Sequence, residues 1–368
     1  MENYDLDNFE PAARIVVIGV GGAGNNAVNR MIDDEIQNVE FFVANTDKQA
    51  LSTSKARNRI ILGEEITGGL GAGGEPEVGE KAAEASSDAI REIVKGADLV
   101  FVAAGMGGGT GTGAAPVIAK IAKDAGALVL AIVTRPFTFE GKKRVVNSID
   151  GLNKLRANVD SIIVVSNDKL LMTSGNAPIS QAFYESDRVL AQSVKTVVNL
   201  ILLPAVINLD FADVRNTLKD AGVSLIGFGL GSGQNRAKDA ANAALSSPLL
   251  EASITGARRA IVSVTCGPNV SLFDAQETVN LLIDASGHDI DVKFGVAIND
   301  QLDDEILVSV IASDFEEEVD FSRPTVFAAP SRDHDDFFKA PDEEKPVEEE
   351  KKESSISDDS ILPSFLKD

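Results

Sequence analysis

Residues 105–113, GMGGGTGTG, are the stretch of this chain best suited to chemistry. Six glycines in nine residues (Gly105, Gly107, Gly108, Gly109, Gly111 and Gly113) make a poor element interior, because ordering glycine costs backbone entropy. They do let the backbone turn tightly and aim several N–H groups at one ligand. Thr110 and Thr112 add hydroxyls. The stretch follows an apolar run at 98–104 that reads as a buried strand. It precedes 114–123, which reads as a helix with Pro116 in its first turn. A glycine turn feeding a helix N-terminus suits phosphate oxygens, because unpaired N–H groups and the helix dipole point at them. A plain surface turn rarely needs this length or two threonines.

Other residues have the same character. Gly19-x-Gly21-x-x-Gly24 follows the apolar run 14–19 and opens a helix at 25–33. The spacing matches a dinucleotide fingerprint, and Asp47 lies where a ribose-binding acid would sit. Alone it fits a nicotinamide-dependent oxidoreductase as well as a nucleotidase. A further glycine loop, GGLGAGG, spans 68–74. A dehydrogenase has no use for so many glycine loops at one edge, and Thr-rich donors suit a terminal phosphate chain. No Gly-Lys-Ser/Thr follows a glycine loop, so nucleotide hydrolysis here falls outside the P-loop class. At 208–213, NLDFAD places Asp210 and Asp213 three residues apart at a helix start. They could orient a water, or Asp213 could cap a helix over 213–220. The bare pattern favours the cap.

The elements that must position these residues alternate. Strands are expected at 14–19, 41–44, 60–62, 98–104, 128–134 and 161–166, with helices at 80–95 and 141–157 among them. This predicts an α/β chain with a doubly wound parallel sheet, whose ligands sit beyond the C-terminal strand ends. Residues 178–202 carry apolar positions at helical spacing, and a helix of that length would run roughly 35 Å, enough to link two domains. A second, smaller α+β domain is expected over 203–315. It has helices at 236–245 and 271–286 and strands at 224–230, 259–265, 291–298 and 305–311.

Composition bounds the rest. The 57 acidic residues outnumber 34 basic ones, for a net charge of -23. That argues against nucleic acid as the main partner, since phosphate binding needs basic surface. A single Cys266 excludes an internal disulfide, and a count of two histidines argues against a His-based zinc site. No run reaches the roughly 20 apolar residues of a membrane span. The segment at 1–11 is acidic and reads as a disordered arm rather than a signal peptide, so a cytoplasmic protein is expected. Residues 316–355 are charge-rich and read as a disordered linker. The last stretch, 356–368, places Ile361, Leu362, Phe365 and Leu366 around Pro363, as a partner-binding peptide would.

The motifs, in order, resemble those of the FtsZ family, the bacterial tubulin-like cell-division GTPases. They are IGVGGAGNNAVNRMI at 18–32, NTD at 45–47, GLGAGG at 69–74, GMGGGTGTG at 105–113, TRPFTFEGKKR at 134–144, SNDKLL at 166–171 and NLDFADV at 208–214. The resemblance runs from about residue 14 to 312, and LPSFL at 362–366 resembles the family's adaptor-binding peptide. It implies a GTP-binding domain at 12–177, a central helix at 178–202 and a domain at 203–315 with the catalytic loop. It further implies head-to-tail self-polymerisation into the division ring at midcell.

By position, the resemblance implies phosphate contacts at Gly21, Gly22, Gly105, Gly107, Gly108, Gly109, Thr110, Gly111, Thr112 and Gly113. Ala72 and Gly73 would face the γ-phosphate, with Asn45 and Asp47 beside the phosphates. Glu140 and Arg144 would lie at the ribose and phosphate side. Asn26, Asn167, Phe183 and Asp187 would form the guanine pocket, Phe183 packing on the base and Asp187 accepting from its N1 and N2 donors. ATP lacks both donors. Asp210 and Asp213, with Asn208 in support, would complete the next subunit's site. Mg²⁺ is expected on the GTP phosphates through water, and the partners implied are the chain itself and membrane adaptors at 356–368, without direct membrane insertion. Ala205 and Leu218 stand where the family commonly has Gly and Met, Gln234 where it has Glu, and the tail lacks a basic ending. Two further readings are weighed beside this one: the nicotinamide-dependent Rossmann oxidoreductase, and a nucleotide-gated scaffold with little hydrolysis.

Overall fold

A computed structural model describes residues 13–174, 178–202, 205–247, 253–286 and 290–316. The arm at 1–11, the linker from 317 and the peptide at 356–368 lie outside the described residues. Among the described residues ten strands run in chain order: β1 (Ile15–Val20), β2 (Glu40–Asn45), β3 (Asn58–Ile61), β4 (Leu99–Gly105), β5 (Leu128–Arg135), β6 (Ser161–Ser166), β7 (Gly222–Gly231), β8 (Ala257–Cys266), β9 (Asp291–Ile298) and β10 (Ile306–Phe315). Successive side chains along a strand face opposite ways. Thus Ile15, Val17, Leu99, Phe101, Leu128 and Leu130 enter one core layer, while Val16, Ile18, Val100, Val102, Val129 and Ala131 enter the other. A strand buried on both faces must be apolar throughout, which is why 14–19 reads as a continuous run.

The strands form one sheet in the order β3-β2-β1-β4-β5-β6-β7-β10-β8-β9. From β3 to β6 every pairing is parallel. All the glycine loops therefore leave the same C-terminal edge, as the alternation predicts. β7 also pairs in parallel with β6, through Ser161↔Gly222, Ile162↔Val223 and Ile163↔Ser224. Beyond it, β10 runs antiparallel to both β7 and β8. The two halves thus share a sheet, which the sequence reading did not foresee. Helix Ile179–Leu202 lies on one face and unites them. Its Leu190, Val194, Val197 and Ile201 belong to one apolar cluster with Ile163 of β6, Ile226 of β7, Ile261 of β8 and Ile311 of β10.

Several boundaries move for physical reasons. The helix expected at 114–123 begins at Thr110 and runs to Asp124, so Pro116 lies in its interior rather than its first turn. The helix expected at 25–33 likewise begins at Gly21. The helix expected at 80–95 is two, Pro76–Ala85 and Ser87–Val94. They break at Ser86, whose Oγ accepts from Gly63 N at 2.9 Å. Short helices at Lys48–Ser52 and Asn167–Ser174 were not foreseen. Among the described residues no helix is long and apolar enough to cross a membrane.

Part of the glycine content serves packing. A Cβ on Gly113 would lie 1.9 Å from Pro76 O, and one on Gly79 would lie 2.4 Å from Gly109 O. Helices Pro76–Ala85 and Thr110–Asp124 therefore cross with their backbones in contact. Gly113→Ala is expected to cost about 1–3 kcal/mol through overpacking, seen as a lowered thermal midpoint. An unchanged midpoint would show that the helices are not pressed together.

Candidate functional site

Three loops meet at the C-terminal sheet edge. The first follows β1, where Gly21 has φ +70° and stands so close to Gly111 N (2.9 Å from a built Cβ) that no side chain fits. Asn25 is buried, and its amide nitrogen, turned inward, donates to Gly21 O at 2.9 Å and Gly19 O at 3.0 Å. The second is 105–113. Gly107, at φ +101°, has its N–H bonded to the buried Thr112 Oγ1 at 2.8 Å. The third is 68–74, stitched to the end of β2 by Lys48 N→Gly69 O at 3.0 Å and Gly71 N→Thr46 O at 3.1 Å. Thr46 and Thr110 share a hydroxyl hydrogen bond of 2.7 Å. Ala72 is buried against Gly109, where a built Cβ would meet its own at 2.8 Å.

The glycines of these loops divide into two kinds. Gly19, Gly24, Gly111 and Gly113 are glycine because a Cβ would strike backbone. Gly22, Gly73 and Gly108 would have nothing within 4 Å of a Cβ. The second group opens onto free space, which leaves room for a phosphate chain to approach the backbone. Asn45 is buried, its Oδ1 accepting from Asp47 N at 3.2 Å. Asp47 caps helix Lys48–Ser52, accepting from Gln49 N at 2.8 Å and Ala50 N at 3.3 Å.

A second cluster lies beyond β5 and β6. Glu140 Oε1 accepts from Phe137 N at 2.9 Å and the carboxylate pairs with Arg144. Asn147 Nδ2 reaches Gly74 O at 3.4 Å and Gly107 O at 3.5 Å. Buried Asn167 accepts from Ser186 Oγ at 2.8 Å, which docks the end of β6 on the long helix. Phe137 packs edge-on to Phe183, with centroids 5.1 Å apart. Phe183 stays partly exposed and shares a helix face with Asp187. Burial pushes the Asp187 carboxyl up to about 7, with Arg30 pulling the other way. Arg30 itself lies 3.8 Å from the centroid of the Tyr184 ring. Asn26 is exposed on the first helix, one turn before Arg30.

Asn208, Asp210 and Asp213 are not brought to this edge. From Ser186 the long helix runs a further 16 residues to Leu202, about 24 Å. The chain then crosses to β9, where Val206 N donates to Val296 O at 2.8 Å and Val296 N to Ile207 O at 3.0 Å. The next helix is Phe211–Leu218, and it feeds Gly222, beside the first residue of β6. The two acids therefore sit past the far end of the long helix, on the segment between the β9 pairing and the start of β7, and not on a loop that leaves β1–β6. The helix cap is Asp210, whose Oδ1 accepts from Asp213 N at 2.8 Å. The cap expected at Asp213 is corrected: the helix starts two residues earlier, and Asp210 is the acid with the extended backbone a cap requires. Leu218 is fully buried in the core.

Residues 14–175 match the family model of the Tubulin/FtsZ family, GTPase domain. Residues 222–316 match that of the FtsZ family, C-terminal domain. An FtsZ dimer from M. jannaschii, solved empty, is 40% identical with a TM-score of 0.76, over 82% of this chain and 88% of that one. The chain belongs to the FtsZ family. A point variant of the M. jannaschii FtsZ is 39% identical, TM-score 0.78, over 84% and 94% of the two chains. GDP-bound CetZ1 from Haloferax volcanii shares the fold at 23% identity, TM-score 0.73, over 84% and 96%. Membership makes the glycine edge part of a GTPase domain. The strand order β3-β2-β1-β4-β5-β6 also occurs in dinucleotide-binding sheets, so the family matches, not the order, decide against the nicotinamide reading.

Residues that the sequence reading missed include Asn25, Thr46, Asn147 and Ser186. Thr46, Asn147 and Ser186 each act through a hydrogen bond to a distant segment, whereas Asn25 bonds within its own loop to Gly19 and Gly21. Only the glycine pattern beside Asn25 carried a local signal.

Proposed function

We propose that this FtsZ-family protein hydrolyses GTP at a site shared between two copies and polymerises head to tail as it does so. The observation that carries the reading is the separation just described. The phosphate cradle lies at the C-terminal edge of β1–β6 and the acids Asp210 and Asp213 lie past the far end of the long helix, about 24 Å on, a separation that supports their supply by a neighbouring copy. The M. jannaschii FtsZ solved as a dimer supports self-association in the family.

Gly21, Gly22, Gly105, Gly107, Gly108, Gly109, Thr110, Gly111, Thr112 and Gly113 bind or shape the phosphate cradle. Ala72 and Gly73 face the γ-phosphate. Asn45 and Asp47 hold the adjoining loop. Glu140 and Arg144 border the ribose. Asn26, Asn167, Phe183 and Asp187 receive guanine. Mg²⁺ neutralises phosphate charge. Thr46 and Thr110 are already bonded to each other and Asp47 Oδ1 to backbone, which favours contact with the ion through water. Asp213 and Asp210 orient the attacking water, with Asn208 shaping their loop. Catalysis is then chiefly positioning and charge stabilisation. Residues 12–177 bind nucleotide, helix 178–202 links them to 203–315, and the segments at 316–355 and 356–368 tether membrane adaptors to a cytoplasmic ring at midcell.

Light scattering with phosphate release, GTP against ATP, tests the reading. Filaments and turnover with GTP alone are expected; equal turnover of ATP without assembly would refute it. The pH dependence follows from Asp187. Its raised pKa means that the empty folded protein takes up a proton, so stability from this group is lost as pH rises toward 7. Guanine requires the carboxylate, so binding releases that proton. GTP affinity is expected to fall about tenfold per pH unit below about 7, as measured by titration calorimetry. Asp187→Asn should flatten the profile, and a flat wild-type profile contradicts the assignment.

A further inference from the structure

Helix Thr110–Asp124 starts in the glycine cradle and reaches Lys123 near its other end, about 20 Å away. There Lys123 Nζ lies among three oxygens: Val159 O at 3.1 Å, Asp220 Oδ1 at 3.1 Å and Asp160 Oδ1 at 3.2 Å. Asp160 is buried and fixed, its Oδ2 accepting from Val129 N at 2.8 Å and its carbonyl from Gly222 N at 3.0 Å. Asp220 is 66% exposed, with a left-handed φ of +50°. Its hydrogen bond to Lys123 holds its carboxyl below the usual carboxylate range. Asp220 lies two residues beyond helix Phe211–Leu218, the helix capped by Asp210 and carrying Asp213. One cation thus ties the far end of the cradle helix to the far end of the acid-bearing helix. Two further side-chain anchors come from the second half of the sheet. Arg259 Nη1 donates to Asn216 O at 2.6 Å, and Ser313 Oγ to Thr217 O at 3.1 Å.

We infer that Lys123 and Asp220 are positioning residues, which set the acid-bearing helix against the cradle helix of the same chain. The inference rests on the reading that Asp210 and Asp213 act on a neighbouring copy's nucleotide. With the tie in place, the half of the protein that binds GTP fixes the angle at which its acids meet the next copy. Without it, the helix end is held to the GTP-binding half only by buried apolar packing and by Gly222, which pairs with Ser161 and donates to Asp160 O, and no side-chain charge sets its angle.

Asp220→Asn is the cleanest test. It removes one charge, keeps a residue type that tolerates left-handed backbone, and leaves the Lys123–Asp160 contact in place. In the full chain with GTP and Mg²⁺, GTP affinity, thermal midpoint and filament yield should match wild type. The kcat for phosphate release should fall about two- to fivefold, the range open to one exposed charge pair. Lys123→Arg should retain wild-type kcat. Lys123→Met combined with Asp220→Asn should be no slower than Lys123→Met alone, because both break one contact. A purely structural role would lower affinity or midpoint together with kcat, and that result overturns the inference. So does a wild-type kcat in Asp220→Asn. Wild-type protein measured across concentrations separates the two levels. If its specific activity rises with concentration and Asp220→Asn tracks it, only the positioning role falls. If specific activity is constant, the shared site falls and the inference with it.

Discussion

Asp213→Ala is expected to cut GTP turnover about a hundredfold while leaving GTP affinity and filament formation near wild type. The magnitude is that of losing one group that orients or deprotonates a reacting water. Affinity is spared because Asp213 lies past the far end of the long helix from its own chain's cradle. Asp210 needs a different substitution. Asp210→Ala would also remove a helix cap, a loss of about 1 kcal/mol. Asp210→Asn keeps a capping oxygen for Asp213 N and removes only the charge. A drop in turnover at unchanged thermal midpoint then assigns the charge to catalysis. Phosphate-release assays on filaments, paired with nucleotide binding, provide the reading. Lost GTP binding in Asp213→Ala would place that residue in its own chain's site and contradict the account.

The second large effect concerns the base. Asp187→Ala should weaken GTP binding about 10- to 100-fold, the worth of charge-assisted hydrogen bonds to guanine. Inosine triphosphate, which lacks the exocyclic amine, should lose less. ATP, which offers neither donor, should be indifferent. The cost of burying the Asp187 carboxylate in the empty protein is recovered when guanine supplies two donors, so this position rewards guanine and penalises its absence. Equal losses for all three nucleotides would mean that Asp187 supports the helix rather than the base.

Much of this arrangement was legible in residue patterns. The interiors of the runs that became β1, β4, β5 and β6 (residues 15–18, 99–104, 128–133 and 162–165) are apolar without alternation, as a sheet covered on both faces asks. The glycine loops could be placed at one edge because parallel strands send every outgoing loop there. What stayed hidden depended on contacts between distant segments. Spacing made all six glycines of 105–113 look like cradle residues, yet Gly113 is glycine because Pro76 O lies where its side chain would be. Thr110 was read as loop because glycines depress helix propensity, but packing against helix Pro76–Ala85 carries the helix back to it. Asp210 and Asp213 are equally plausible caps by type. Only the backbone assigns the cap to Asp210 and leaves the Asp213 carboxylate outside that role. The pairing of β7 with both β6 and β10, which joins the halves into one sheet, has no local signature at all.

Specific activity against protein concentration tests the central claim most directly. Phosphate release per molecule of full-length protein, at saturating GTP and Mg²⁺, is followed through dilution together with light scattering. The shared-site account predicts negligible turnover at high dilution and a steep rise at the concentration where filaments appear. Turnover per molecule that stays constant through dilution, including where no filaments form, would contradict it.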